Sequence, residues 1–244
     1  MFDPFKDFDS AGYLRNFDGE KDLTIVKVVE HELFRANLPQ AVDYLGHLKD
    51  ITYPDFLQVH KLLFQGFYPW AGQDWAGTAP ESAIHKGATQ FAHPNAAEMA
   101  VNEGLRLGRN VKTMRARLGE VMGLFAFGHP FLDGNGRTML LVHAELCQRA
   151  GFSVVWQRTN KNDYLLALTR EIASPGKGIL DSYLLQFMGL AQTNGNGAWI
   201  NTLTTLQGLD GTGVQDEIGG SFQDPAVVAQ YQQFERQRGY EIKD

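Results

Sequence analysis

The chain has one cysteine, Cys147, among 244 residues. An intrachain disulfide is therefore excluded, and so is a cysteine-ligated zinc cluster. Cys147 falls in an apolar helical pattern, where a buried and unreactive thiol is expected. Long hydrophobic runs are missing as well. No stretch is apolar for the length a bilayer requires, and Met1 does not open a signal-peptide pattern. Positive charge is not in excess: 22 Lys and Arg stand against 28 Asp and Glu, a net charge of −6. Nucleic-acid binding wants a basic face, which this balance does not offer.

What is present is a helical pattern. With 43% hydrophobic residues, the length suits one domain with a core, plus appendages. Apolar residues recur at helical spacing over 23–37, 53–65, 94–107, 114–127, 136–151, 160–172 and 179–190. Residues 66–92, rich in Gly, Pro and aromatics, suit a loop and a short β-hairpin. The stretch 194–220, rich in Gly, Asn and Thr, reads as a linker. Asp224-Pro225 opens a last helix running to Gly239. The division expected is an N-terminal arm over 1–20, a mainly α domain over 21–192, a linker over 193–223 and a C-terminal helix over 224–244. That helix is expected to pack back on the domain; docking a partner is the alternative.

The densest chemistry lies at His129-Pro130-Phe131-Leu132-Asp133-Gly134-Asn135-Gly136-Arg137. Gly128 is expected to stop the preceding helix in a left-handed cap. Pro130 keeps His129 out of the helical region, which leaves its ring free to face a ligand. The turn Asp133 to Gly136 leads into the next helix. Glycines let backbone N–H groups converge, and a helix start favours anions. Arg137 in the first turn is unfavourable there unless an anion is bound. Asp133 is the kind of lone carboxylate that holds Mg²⁺ beside phosphates. Imidazole is the usual general base near neutral pH, which suits His129. A plain structural turn needs none of His, Asp, Asn and Arg together.

This nonapeptide resembles the signature of Fic-domain proteins, His-Pro-Phe-x-Asp/Glu-Gly-Asn-Gly-Arg, at every specified position. Trp70-Ala71-Gly72 is similar to the family's Trp-Ala-Gly segment. Ile84-His85-Lys86-Gly87, followed by Phe91-Ala92, is similar to its β-hairpin flap. The resemblance spans residues 20–190. It implies a Fic fold, a helical bundle with a flap beside the active-site loop, that binds ATP with Mg²⁺. It further implies transfer of AMP to a Ser, Thr or Tyr hydroxyl of a target protein, with release of pyrophosphate. Carried over, His129 is the general base and Asp133 the metal ligand. Gly134, Asn135, Gly136 and Arg137 bind phosphates, Phe131 anchors the loop, and Lys86 and Gly87 sit on the flap against the target. The resemblance also brings the expectation of a toxin or effector, cytoplasmic or exported without a cleaved signal.

There are two departures from the family pattern. Leu140 stands where many members have a second arginine, which opens transfer of another phosphate-containing group, such as UMP or phosphocholine, as the alternative. A non-catalytic binding module is the other. The Trp-Ala-Gly segment runs into Gln73-Asp74 rather than a basic residue. No Ser/Thr-x-x-x-Glu-Gly/Asn inhibitory motif is visible: Glu103 precedes a glycine, but Met99 lies four residues before it. The chain is then either uninhibited or restrained by a separate antitoxin-like protein. Glu30-His31-Glu32-Leu33 is no zinc helix, because Arg35 replaces the second histidine. His85 and His93 flank the flap as surface or target-contacting groups, and His143 is a core-edge residue.

Overall fold

The computed structural model describes residues 15–86, 89–191 and 217–239. It is mainly helical. The first helix, α1 (Leu23–His47), starts under the Asp22 side chain, which accepts from the Thr24 amide at 2.8 Å. It passes through Pro39 and outruns the expected end at residue 37. Leu38, Ala41, Val42 and Leu45 continue its buried stripe, and that packing outweighs one lost backbone bond. α2 (Tyr53–Phe64) opens on a Thr52–Asp55 capping box. A single turn, α3 (Trp75–Thr78), follows under an Asp74 cap.

Next come strands β1 (Ser82–Lys86) and β2 (Thr89–Gln90), and α4 (Pro94–Arg109). The pattern read as one helix from 114 is two helices, α5 (Val111–Ala116) and α6 (Leu118–Gly128), separated at Arg117. The break is imposed from far along the chain. Asp181 accepts from the amides of Gly119 at 2.6 Å and Glu120 at 3.1 Å, capping α6. A Cβ on Gly119 would lie 2.2 Å from the Asp181 backbone nitrogen, so only glycine admits this approach. All eleven residues of α6 are buried, which makes it the central helix of the bundle.

α7 (Asn135–Arg149) leads to β3 (Phe152–Val154), a 3₁₀ turn over Trp156–Arg158 and α8 (Lys161–Ala173). The helix expected over 179–190 is only α9 (Ile179–Leu184). A 3₁₀ turn follows, then β4 (Met188–Leu190), which pairs antiparallel with β3. The pairing with β3 satisfies backbone groups that a longer helix would have used.

The end of the stretch read as linker is a strand, β5 (Glu217–Ser221). It joins the hairpin in the order β2-β1-β5, with Ser82 opposite Ser221 and His85 opposite Glu217. Its glycines had masked it, since Gly is depleted in strands. Residues 193–216 of that linker, and most of the N-terminal arm, lie outside the described residues.

The last helix, α10 (Pro225–Arg238), packs back on the domain. Arg238 donates from Nε to the Ile172 carbonyl at 2.8 Å and lies 3.2 Å from the centre of the Phe127 ring. The Tyr231 hydroxyl accepts from the His93 amide at 2.9 Å. No helix among the described residues is long and apolar enough to cross a membrane.

Candidate active site

The signature loop hangs between α6 and α7. The left-handed residue at the end of α6 is His129 (φ 42°, ψ 54°), not Gly128. Gly128 stays helical because its bare Cα is needed elsewhere: a Cβ there would lie 2.8 Å from Val101 and 3.1 Å from the Ala97 carbonyl. His129 is the one non-glycine among the described residues with positive φ, a conformation costing about 1–2 kcal/mol.

Tertiary contacts hold it there. The Trp75 indole N–H donates to the His129 carbonyl at 2.5 Å, and the Trp75 amide donates to the Pro130 carbonyl at 3.0 Å. The Phe91 ring, just past β2, stacks on the imidazole at 3.6 Å. The residue is 7% exposed, so the imidazole expected to be free to face a ligand is covered on one side by Phe91.

Phe131 is fully buried, stacked on His60 at 3.8 Å and on Phe56 at 6.0 Å. Asn135 was expected to meet phosphates, but its side chain is otherwise engaged. Its Oδ1 accepts from the Phe131 amide at 2.9 Å and its Nδ2 donates to the Phe131 carbonyl at 2.6 Å. It braces the loop, and its backbone N–H is what remains at the start of α7.

His60 on α2 escaped the sequence reading. Its Nδ1 accepts from the Gly72 amide at 2.9 Å, which leaves Nε2 to donate to the Asp133 carbonyl at 2.9 Å. It thus ties the Trp-Ala-Gly segment to the signature turn. Burial lowers its pKa to about 3 from the ordinary 6.5. Gly134 takes φ 79°, and a Cβ on it would lie 2.6 Å from Phe64 and 3.0 Å from His60. No side chain caps α7. A Cβ on Gly136 would meet nothing within 4 Å, so the concavity is open on that side.

Arg137 does not face this opening unaccompanied. It is 6% exposed and pairs with Glu30 of α1, itself wholly buried, and it lies 3.7 Å from Asp133. Lys27, one turn earlier on α1, reaches Asp133 at 2.6 Å and Glu30 at 3.3 Å. Four charges, two of each sign, are gathered here. Burial opposes the charge on Asp133, but Lys27 and Arg137 prevail and hold its pKa well below the usual carboxylate range. Burial also works against Lys27, whose pKa is nonetheless raised by Asp133 and Glu30. For Glu30, burial wins and pushes the pKa up, with Arg137 opposing.

Arg137 still has one buried nitrogen, Nη1, with no hydrogen-bond partner among the described residues.

The site fits a divalent metal carried by a nucleotide. Asp133 is ionised, and Mg²⁺ takes most of its ligands from phosphates and water. No group of three or more His, Cys, Asp or Glu that would bind a metal by itself occurs among the described residues. Of the flap residues, Lys86 ends β1 and is exposed, and Gly87 lies outside the described residues. Leu140 is buried at 6% exposure. Cys147 is buried, and burial raises its thiol well above the usual range. His143 lies in the core rather than at its edge, on the Leu118 carbonyl at 2.8 Å.

The start of α7 thus brings together an uncapped helix end, an open glycine and a buried guanidinium with one unpartnered nitrogen. Residues 50–147 match the model of the Fic/DOC family. It is similar to the protein adenylyltransferase VbhT of Bartonella schoenbuchensis, 28% identical over 177 residues that cover 66% of this chain and 34% of that protein. The chain thus spans well under two thirds of that relative.

Among solved structures it is similar to the N-terminal Fic domain of a VirB-translocated Bep effector protein from Bartonella quintana with bound ADP. The TM-score is 0.60 at 18% identity, covering 76% of this chain and 94% of that one. It is also similar to BepC from Bartonella tribocorum with bound AMPPNP, with TM-score 0.57 at 16% identity, covering 73% and 93%. These two likenesses are of fold.

Proposed function

We propose that this chain transfers AMP from ATP to a Ser, Thr or Tyr hydroxyl of a target protein. The observation that carries the reading is the start of α7: an uncapped helix N-terminus beside open Gly136, with Arg137 Nη1 unpartnered and Asp133 ionised. The adenylyltransferase name of the relative VbhT and the ADP and AMPPNP in the two neighbours support it.

In this reading the backbone N–H groups from Asn135 to Arg137 receive the phosphates, and Arg137 exchanges Glu30 for phosphate oxygen. Asp133 would hold Mg²⁺, which would supply charge neutralisation at the phosphates. His129 takes the proton from the target hydroxyl. The new O–P bond forms at the α-phosphorus, the bond to the bridging oxygen breaks, and pyrophosphate departs. Positioning and charge neutralisation supply most of the rate. Lys86, at the end of β1, and Gly87 are assigned to contact the target segment. An antitoxin-like partner and an effector role belong to this proposal.

A second reading, transfer of UMP or phosphocholine, is favoured by buried Leu140, which brings no cation to α7. Incubation of the chain with a lysate and either α- or γ-labelled ATP tests the first reading. It expects label on protein from the α position alone, at an added mass of AMP. Protein label from the γ position, or an added mass of another group, contradicts it.

A further inference from the structure

The role of Lys27 is not accounted for by packing. It stands one turn before Glu30 on α1, so both side chains point at the signature turn. Its ammonium lies 2.6 Å from Asp133 Oδ2 and 3.3 Å from Glu30 Oε2, with 16% of the side chain exposed. The other Asp133 oxygen is taken by the Gly134 amide at 2.6 Å. The guanidinium of Arg137 is sunk against Phe64, 4.7 Å from the ring centre, and held by Glu30. Lys27 therefore has its charged head at the rim of the cradle, and Arg137 has its head at the floor.

An Asp133 oxygen that turns to a metal ion gives up the ammonium it now holds, and Lys27 is left beside the incoming phosphates. Its flexible stem and compact charge suit such an exchange of partners. Leu140 offers no competing cation on α7.

We infer that Lys27 is a phosphate-binding residue of this chain, passing from Asp133 to an outer phosphate oxygen of the metal-bound nucleotide. The inference rests on the function proposed above. It names a ligand outside the signature loop, on a helix that precedes the matched family segment.

Titration calorimetry with MgATP over a range of KCl concentrations tests it, on the wild-type chain and on Lys27→Met, with circular dichroism as the check on folding. Lys27→Gln, whose amide can still donate to Asp133, serves if the methionine variant does not fold. The variant is expected to bind MgATP about tenfold more weakly, the loss of one charge-assisted contact. Its affinity is also expected to fall less steeply with salt, because one ionic contact is gone. Unchanged affinity overturns the inference. So does weaker binding with an unchanged salt dependence, which is the mark of a merely structural lysine. A wild-type chain that binds no nucleotide refutes the proposed function, and this inference with it.

Discussion

Glu30, in the first third of α1, closes on the guanidinium of Arg137, 107 positions further on, in a pair sheltered from water. In the proposed function a nucleotide phosphate on Arg137 takes the place of this carboxylate. Glu30→Gln therefore acts in two opposite directions. Breaking a buried pair from one side costs up to about 3–5 kcal/mol, so the free variant melts lower than wild type. Its guanidinium is then short of an anion, and MgATP raises its melting temperature by more than it raises that of wild type. Thermal melts with and without MgATP check both. An equal or smaller ligand shift in the variant contradicts competition at Arg137.

The two glycines of the turn are expected to respond differently. Gly134→Ala puts a methyl 2.6 Å from Phe64 at φ 79°, with an expected cost of about 1–3 kcal/mol in unfolding free energy. Gly136→Ala meets no protein atom within 4 Å. It folds like wild type but fills the open side of the cradle, and it loses most MgATP affinity. Urea unfolding and calorimetry on the two variants separate stability from binding. A Gly136→Ala protein with normal affinity moves the phosphates elsewhere.

Acid sensitivity follows from the buried histidines. The folded pKa of His60 is about 3 and that of His143 about 4, both below the ordinary 6.5. Between those values and 6.5 the unfolded chain binds protons that the folded chain refuses. Stability is thus complete above 6.5 and falls as the pH drops towards 4. The slope approaches about 1.4 kcal/mol per pH unit for each histidine. Urea unfolding at pH 7.5 and pH 5 measures it. His60→Gln should flatten the dependence, and an unchanged slope shows that His60 does not contribute.

Arg238→Met removes the hydrogen bond to Ile172 and the cation over Phe127. A loss of about 1–3 kcal/mol is expected in the local stability of α10. Hydrogen exchange should quicken over Pro225–Arg238 while the amides of α7 keep their protection. Equal loosening in α7 would show that α10 supports the whole domain instead.

The helical bundle, the hairpin and the signature turn were legible because each is written locally, in 3.6-residue spacing, in Gly and Pro, and in nine consecutive residues. The charges around the turn were not. Lys27 and Glu30 belong to a helix whose polar positions look like any solvated face, and His60 looks like a core residue between Val59 and Leu62. The repeat of Trp-Ala-Gly at Trp75 was the available signal for the residue that pins His129. The break at Arg117 and strand β5 depend on Asp181 and β1, partners that periodicity does not reveal. His129 was singled out by the signature, but its left-handed backbone and its cover by Phe91 come from packing against α3 and the end of β2.

The central claim is that the cradle delivers the α-phosphoryl group to an oxygen whose proton His129 removes. His129→Ala, assayed with α-labelled ATP and lysate alongside calorimetry with MgATP, tests it most directly. The account predicts MgATP affinity within a few-fold of wild type and labelling lower by about 10²–10⁴. A variant that labels protein as well as wild type does would contradict it.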